Sequence, residues 1–279
     1  MAKRKRITTV DKLIKEGRGI GFGAKYKPWI TIQDVPSLGR VTRLKGIKTE
    51  RQHQFLSDME RNYFYFLEYA ENVIDIREQF PLLPLEDTLL IAEELGIEHP
   101  KNPKNGEFII MTTDFFITIK NNNEHYNVAR TIKAADELMN RRILEKFEIE
   151  RMYWQKRDTD WGIVTDNEID KVIAYNISSI HGYNDIKNID CFKEIETIEL
   201  QDLTYEFIKR IVDGNRIMRT ICNEFDKDMS LEKGSGLSIF KYLVINKIIE
   251  IDITEKIDVN RMIPIINIKE ESVKKVGSI

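Results

Sequence analysis

The strongest strand-like pattern lies in the middle of the chain, where the largely apolar runs Phe108–Ile119 and Tyr126–Lys133 read as two β-strands. Both are rich in β-branched and aromatic residues, and the polar run Lys120–Glu124 (KNNNE) breaks them apart. Asp114 falls inside the first strand and Lys133 ends the second. Side chains alternate along a strand, so Thr131 and Lys133 share a face while Ile132 points the other way. Paired strands would bring Asp114 close to Thr131 and Lys133.

Helical spacing dominates on either side. Ser57–Asn72 reads as a helix capped by Ser57, with Leu56, Glu60, Phe64 and Leu67 on one stripe. Val73–Leu83 reads as a strand running into a proline turn, Leu89–Gly96 as a short helix, and Ala134–Lys156 as a long one. In that long helix Ile143, Phe147, Glu150 and Trp154 form the apolar stripe, and Arg141 and Arg142 begin an exposed basic patch. Asp160–Thr165 adds a strand. This order predicts an α/β layer, a mixed sheet flanked by helices.

Composition shifts after residues 166–169, dividing the chain into residues 1–170 and 171–279. The second part reads as helices Lys171–Ser179, Leu200–Arg210, Ile217–Asp226 and Ser230–Asn246, the last capped by Ser230. Strands Ile248–Ile253 and Met262–Ile268 follow, as a helix running into a β-wing. Small helical domains ending this way often contact nucleic acid or protein, and Lys233, Lys241 and Lys247 are its candidate basic contacts. The polar tail, Lys269–Ile279, reads as frayed. At the other end, a helix at Thr8–Glu16 precedes GRGIGFGAKY, read as a flexible basic segment able to follow a nucleic-acid backbone. No strand precedes these glycines and no Gly-Lys-Ser/Thr follows them, so they form neither common phosphate loop.

Charge changes this picture little in sum: 43 Lys and Arg against 46 Asp and Glu leave −3 over 279 residues. Its distribution says more, since MAKRKR opens the chain with four positive charges, an arm suited to phosphate. The two cysteines, Cys191 and Cys222, have no metal-site spacing and give no disulfide framework. Four scattered histidines offer little support for a zinc site or a Ser-His-Asp triad. With no signal peptide or long apolar run, the expected location is the cytoplasm, with no membrane partner.

Glu60, Asp114, Thr131 and Lys133 carry the candidate chemistry. An arbitrary Asp…Lys spacing is usually a surface ion pair, and Glu60 also fits a helix-capping glutamate. A carboxylate facing a core nevertheless needs compensation by a metal or a lysine. Two carboxylates from a helix and a strand, with a strand lysine, are the parts of a metal-dependent phosphodiesterase. Mg²⁺ prefers one or two carboxylates plus water, and a lysine can orient the attacking water or stabilise developing charge.

The stretches LSDME (Leu56–Glu60), DIREQFPLLP (Asp75–Pro84), TTDF (Thr112–Phe115) and IKAA (Ile132–Ala135) resemble the TnsA endonuclease subunits of Tn-seven-type heteromeric transposases. LEKFEIERMYW (Leu144–Trp154), IVTDNEI (Ile163–Ile169) and the glycine-rich region 17–40 extend the resemblance over about the first 170 residues. It implies a restriction-endonuclease-like catalytic domain followed by a smaller, mostly α, winged-helix-like domain. It also implies Mg²⁺-dependent cleavage of double-stranded DNA at the 5′ transposon ends, with Mn²⁺ as a substitute. A TnsB-like transposase subunit and a TnsC-like AAA+ regulator are the implied partners. The catalytic glutamate, aspartate and lysine of that family fall on Glu60, Asp114 and Lys133. Thr131 stands where the family usually has Gln or Glu, so metal binding would rest on Glu60, Asp114 and the Ile132 carbonyl, with Thr131 in a reduced role. Glu150 is expected to reach the site through a lysine or water. Two alternatives stay open: a stand-alone restriction-like or junction-resolving nuclease, and a non-catalytic adaptor for DNA or the regulator.

Overall fold

The computed structural model describes residues 9–34, 40–212 and 216–269. The basic arm MAKRKR and nearly all of the polar tail lie outside the described residues. The chain divides into two compact units, Met1–Asp170 and Lys171–Ile279.

The first unit is built on a four-stranded mixed sheet. Its strands are β3 (Val73–Pro81), β4 (Thr112–Asn121), β5 (Glu124–Ile132) and β6 (Asp160–Val164), adjacent in that order. A small separate sheet, β1 (Thr42–Lys45) with β2 (Gln52–Phe55), precedes them. The β4–β5 hairpin turns at Asn122, whose positive φ of 52° suits asparagine. β6 lies parallel to β5, so the chain must cross over between them, and helix α4 (Arg141–Gln155) makes the crossing.

Apolar residues cover both faces of the sheet. On one, Phe64 and Leu67 of α2 (Asp58–Tyr69) pack on Ile76, Phe115, Ile117, Val128 and Ile132. On the other, Ile149, Tyr153 and Trp154 of α4 and Ile91 of α3 (Leu85–Glu94) pack on Leu82, Phe116 and Ala129. The result is the expected helix–sheet–helix layering.

Five local readings differ. The long helix is broken: Ala135–Met139 is a 3₁₀ turn, and α4 starts only after Asn140, whose side chain accepts the Arg142 and Ile143 N–H groups. Helix α3 begins at Leu85, behind Pro84, and β4 begins at Thr112 rather than Phe108. Arg141 and Arg142 both pair with Glu145, so the expected basic patch is locally neutralised. The glycine-rich segment is not loose. After helix α1 (Thr9–Lys15), Gly23 N–H donates to Asp75 Oδ1 at 3.1 Å, the buried Tyr26 hydroxyl donates to the Glu78 carbonyl at 3.1 Å, and Trp29 N–H donates to the Gln79 carbonyl at 3.1 Å. Gly19 sits so close to the Pro81 ring, at φ +75°, that a Cβ there would collide with it. The segment braces the outer side of β3.

In the second unit, α5 (Lys171–His181), α6 (Thr197–Val212), α7 (Met218–Asp228) and α8 (Ser235–Ile245) precede an antiparallel pair, β7 (Ile249–Ile251) and β8 (Ile265–Ile268). Ser230 does not cap the last helix. It adopts a left-handed φ of 54°, and Gly234, at φ 102°, begins α8 instead. Asp226 accepts the Gly234 and Gly236 N–H groups at 2.7 and 2.6 Å, satisfying the start of that helix from α7. Among the described residues no helix is long and apolar enough to cross a membrane.

Candidate active site

The site forms where two strands part. The β4–β5 ladder ends at the pair Phe115–Arg130, although β4 extends back to Thr112 and β5 forward to Ile132. Ile132 N–H, which faces β4, therefore needs another acceptor, and Asp114 Oδ2 takes it at 2.7 Å. The neighbouring Lys133 N–H faces the other way, to the Val164 carbonyl of β6 at 3.0 Å. A strand residue directs its N–H and C=O to the same side, so the Ile132 carbonyl also opens toward the gap beside Asp114.

The parting opens a cleft of about 370 Å³ lined by Glu60, Asp114, Thr131, Ile132, Lys133 and Glu150, among others. The fold thus brings every sequence-predicted site residue to one place. Helix α2 delivers Glu60, which is 8% exposed. Ser57 caps the helix by accepting Glu60 N–H at 3.1 Å, and its hydroxyl donates back to Glu60 Oε1 at 2.8 Å. Leu56 N–H holds Oε2 at 3.1 Å. Capping and burial in the site are therefore properties of the same glutamate.

Burial, reinforced by the charge of Asp114, raises the Glu60 pKa to about 8. Burial likewise raises Asp114 to about 6, partly offset by the Ile132 N–H, the Gln79 amide and the Lys133 charge. Lys133 Nζ pairs with Glu137 at 2.7 Å on a half-open surface. Two facing carboxylates that resist ionising together attract a cation. Glu60, Asp114 and the Ile132 carbonyl are hard oxygen donors, the type that Mg²⁺ prefers. Among the described residues no three His, Cys, Asp or Glu side chains are grouped to hold a metal by themselves.

Glu150, on α4, is 2% exposed, and its Oε1 accepts three donors. These are the Thr113 hydroxyl at 2.6 Å, the Thr131 hydroxyl at 2.5 Å and the Trp161 indole N–H at 3.0 Å. Burial still raises its pKa, to about 7. Thr131 therefore spends its hydroxyl proton anchoring Glu150 from below the cleft. Among the described residues no lysine bridges Glu150 to the site.

Sequence reasoning missed two groups. Gln79 donates through Nε2 to Asp114 Oδ1 at 3.1 Å. Glu78, its neighbour, is fully buried between Arg51 and His53, with Arg51 Nη1 at 2.8 Å, a second Arg51 contact through Nη2, and His53 Nδ1 at 2.8 Å. Burial opposes ionisation of Glu78, but His53 and Arg51 overcome it and lower the pKa to about 2. Neither had a distinct signal, because the same strand already carries Asp75 and Arg77.

Paired carboxylates and a strand-end lysine, in an open cleft on a helix–sheet–helix unit, are the parts of a phosphodiester-cleaving nuclease. Residues 70–166 match the family described as TnsA-like endonuclease N terminal, and residues 168–253 match TnsA endonuclease C terminal. Asp114, Thr131, Ile132, Lys133 and Glu150 fall within the first match, and Glu60 precedes it. The transposon Tn7 transposition protein TnsA of Escherichia coli is 38% identical over 252 residues, covering 90% of this chain and 88% of that protein. The chain belongs to the TnsA endonuclease family.

Proposed function

We propose that this endonuclease is the subunit of a heteromeric transposase that hydrolyses phosphodiester bonds at the 5′ ends of its transposon, and that it requires Mg²⁺. The observation that carries the reading is the clamped Asp114 at the parted ends of β4 and β5, facing Glu60 and Lys133 across one cleft. Glu60 and Asp114 would hold the cation together with the Ile132 carbonyl, and Mn²⁺ would substitute. When bound, the divalent cation neutralises charge at the phosphate and favours deprotonation of the attacking water.

The protein's own groups do the positioning. Ile132 N–H and Gln79 fix the Asp114 carboxylate, Leu56 N–H and Ser57 fix Glu60, and Lys133 presents its ammonium to the phosphate or the water. Glu150 secures Thr131 and Thr113, and through them the adjoining strand ends.

Transposition links this chain to other proteins. A TnsB-like subunit processing the other strand and a TnsC-like AAA+ regulator are the partners this reading expects. The near-neutral charge of the chain supports reliance on partners for grip on DNA. In the second unit, α8 followed by the β7–β8 pair supports a winged-helix-like reading and a role in partner or DNA contact. Lys233 and Lys247 stay candidates there, whereas Lys241 lies over the Tyr183 ring, with Nζ 4.5 Å from its centre.

The test is cleavage of a labelled transposon-end duplex with Mg²⁺, with and without the presumed partners, by wild type and Asp114→Ala. Partner-dependent 5′-end breaks lost in the variant support the proposal. Breaks by the chain alone indicate an autonomous nuclease. Intact assembly without any break from this chain indicates an adaptor.

A further inference from the structure

We propose that Gln79 is a positioning residue for the metal site: it orients Asp114 so that the carboxylate presents a fixed face to a divalent cation. The inference rests on the nuclease reading for its context and on separate geometry for its content.

The sheet changes phase at this point. Glu78 pairs with Phe115 and Phe80 with Thr113, leaving Gln79 and Asp114 as the residues between. Ile76 and Phe115 face the α2 side, while Phe80 and Thr113 meet Trp154 on the α4 side. Simple alternation would put residues two apart on one face, so both strands slip by one position here. The slip is made at Gln79, whose φ of 48° is left-handed. For a residue other than glycine this conformation is strained and persists only where its surroundings impose it. Here they do: Trp29 N–H binds the Gln79 carbonyl, and Glu78, one residue earlier, is locked between Arg51 and His53.

What the slip achieves is direction. The Gln79 side chain is 4% exposed and makes two hydrogen bonds. Thr112 Oγ1 donates to its Oε1 at 3.0 Å, which fixes the amide orientation, and its Nε2 donates to Asp114 Oδ1 at 3.1 Å. Ile132 N–H holds the other oxygen, Oδ2. Asp114 is thus gripped from both neighbouring strands, one oxygen each, and each oxygen keeps a lone pair for the cleft. Groups that hold a ligand in this way typically govern metal affinity by about 10–100-fold.

The experiment measures Mn²⁺ binding to the purified full chain by calorimetry, beside the Mg²⁺ dependence of end cleavage in the assembled system. Gln79→Met keeps the volume and removes the donor. Thr112→Val leaves Gln79 in place but frees its amide to turn. The expected result is a loss of Mn²⁺ affinity of about tenfold or more in Gln79→Met and a smaller loss in Thr112→Val. Saturating Mg²⁺ should largely restore the cleavage rate, and thermal unfolding in chelator should stay close to wild type. Affinities within twofold of wild type in both variants overturn the proposal, as does a wild-type chain that binds no Mn²⁺. If Gln79→Met does not fold, Thr112→Val decides alone. Should wild type bind Mn²⁺ and cleave nothing, while the variants bind weakly, the nuclease reading fails and the role of Gln79 stands.

Discussion

Replacing Glu60 by glutamine should stabilise the metal-free protein at high pH and not at low pH. The folded protein raises the Glu60 pKa from 4.5 to about 8, chiefly by burial and then by Asp114. The folded state therefore holds this proton more tightly than the unfolded chain. The corresponding stability is fully present below about pH 4.5 and is lost as the pH rises through about 8. At 1.36 kcal/mol per pH unit the full interval amounts to roughly 5 kcal/mol. Glutamine cannot ionise, but it cannot match both hydrogen bonds that the carboxyl makes with Leu56 and Ser57, a loss of about 1 kcal/mol. The open cleft also screens part of the charge. A net gain of about 2–3 kcal/mol at pH 8.5 remains, which is roughly 5–10 °C in the midpoint of the catalytic unit. Near pH 5 the variant should equal wild type or fall about 1 kcal/mol below it. The assay is urea and thermal unfolding across pH 5–8.5 in chelator, repeated with saturating Mg²⁺. Added Mg²⁺ should stabilise wild type at pH 8.5 and largely cancel the advantage of the variant. A difference between the two proteins that is the same at pH 5 and pH 8.5 would refute the reasoning.

The other predictions follow from the same geometry. Lys133→Ala should lower end cleavage by about 100-fold or more while leaving unfolding within about 0.5 kcal/mol, because its partner Glu137 is half exposed; an unchanged cleavage rate would remove Lys133 from the chemistry. Glu78→Ala leaves Arg51 buried without its carboxylate and should cost about 3–5 kcal/mol in urea unfolding, whereas an effect below about 1 kcal/mol would mean that the cluster is solvated. Lys146 lines the cleft and, unlike Arg141 and Arg142, has no ion-pair partner among the described residues. Lys146→Ala should reduce the salt slope of DNA binding by about one without changing stability, and an unchanged slope would place this lysine off the phosphate path.

Much of the site was legible because the local signals were strong. Glu60 stood out as a carboxylate on an apolar helical stripe, and Asp114 and Lys133 as charges within strand-like runs. Family resemblance in the stretches containing them supplied the roles. Glu150 was legible as the acidic member of the α4 stripe, and it is buried as that stripe requires. The layered arrangement followed from the order of elements.

Periodicity could not show where pairing stops. Spacing along the chain gives the face on which a side chain lies, but not the point at which β4 leaves β5 and frees the Ile132 N–H for Asp114. Nor could it show the left-handed turn at Gln79, since nothing in the strand-like run VIDIREQFP marks a change of phase. The break at Asn140 was hidden for a related reason: one capping side chain ends a pattern that helical propensity alone would continue. The glycines of residues 17–23 suggested freedom, yet Gly19 serves the close approach of a folded segment to β3, and the Gly23 N–H ties that segment to Asp75. The sequence by itself determined which residues are acidic, basic or apolar on each element, and hence the layers and the candidate site. Tertiary structure alone decided which oxygen of Asp114 meets which donor, because hydrogen bonds between strands depend on register and phase. Those are properties of how strands meet, and no single stretch of chain contains them.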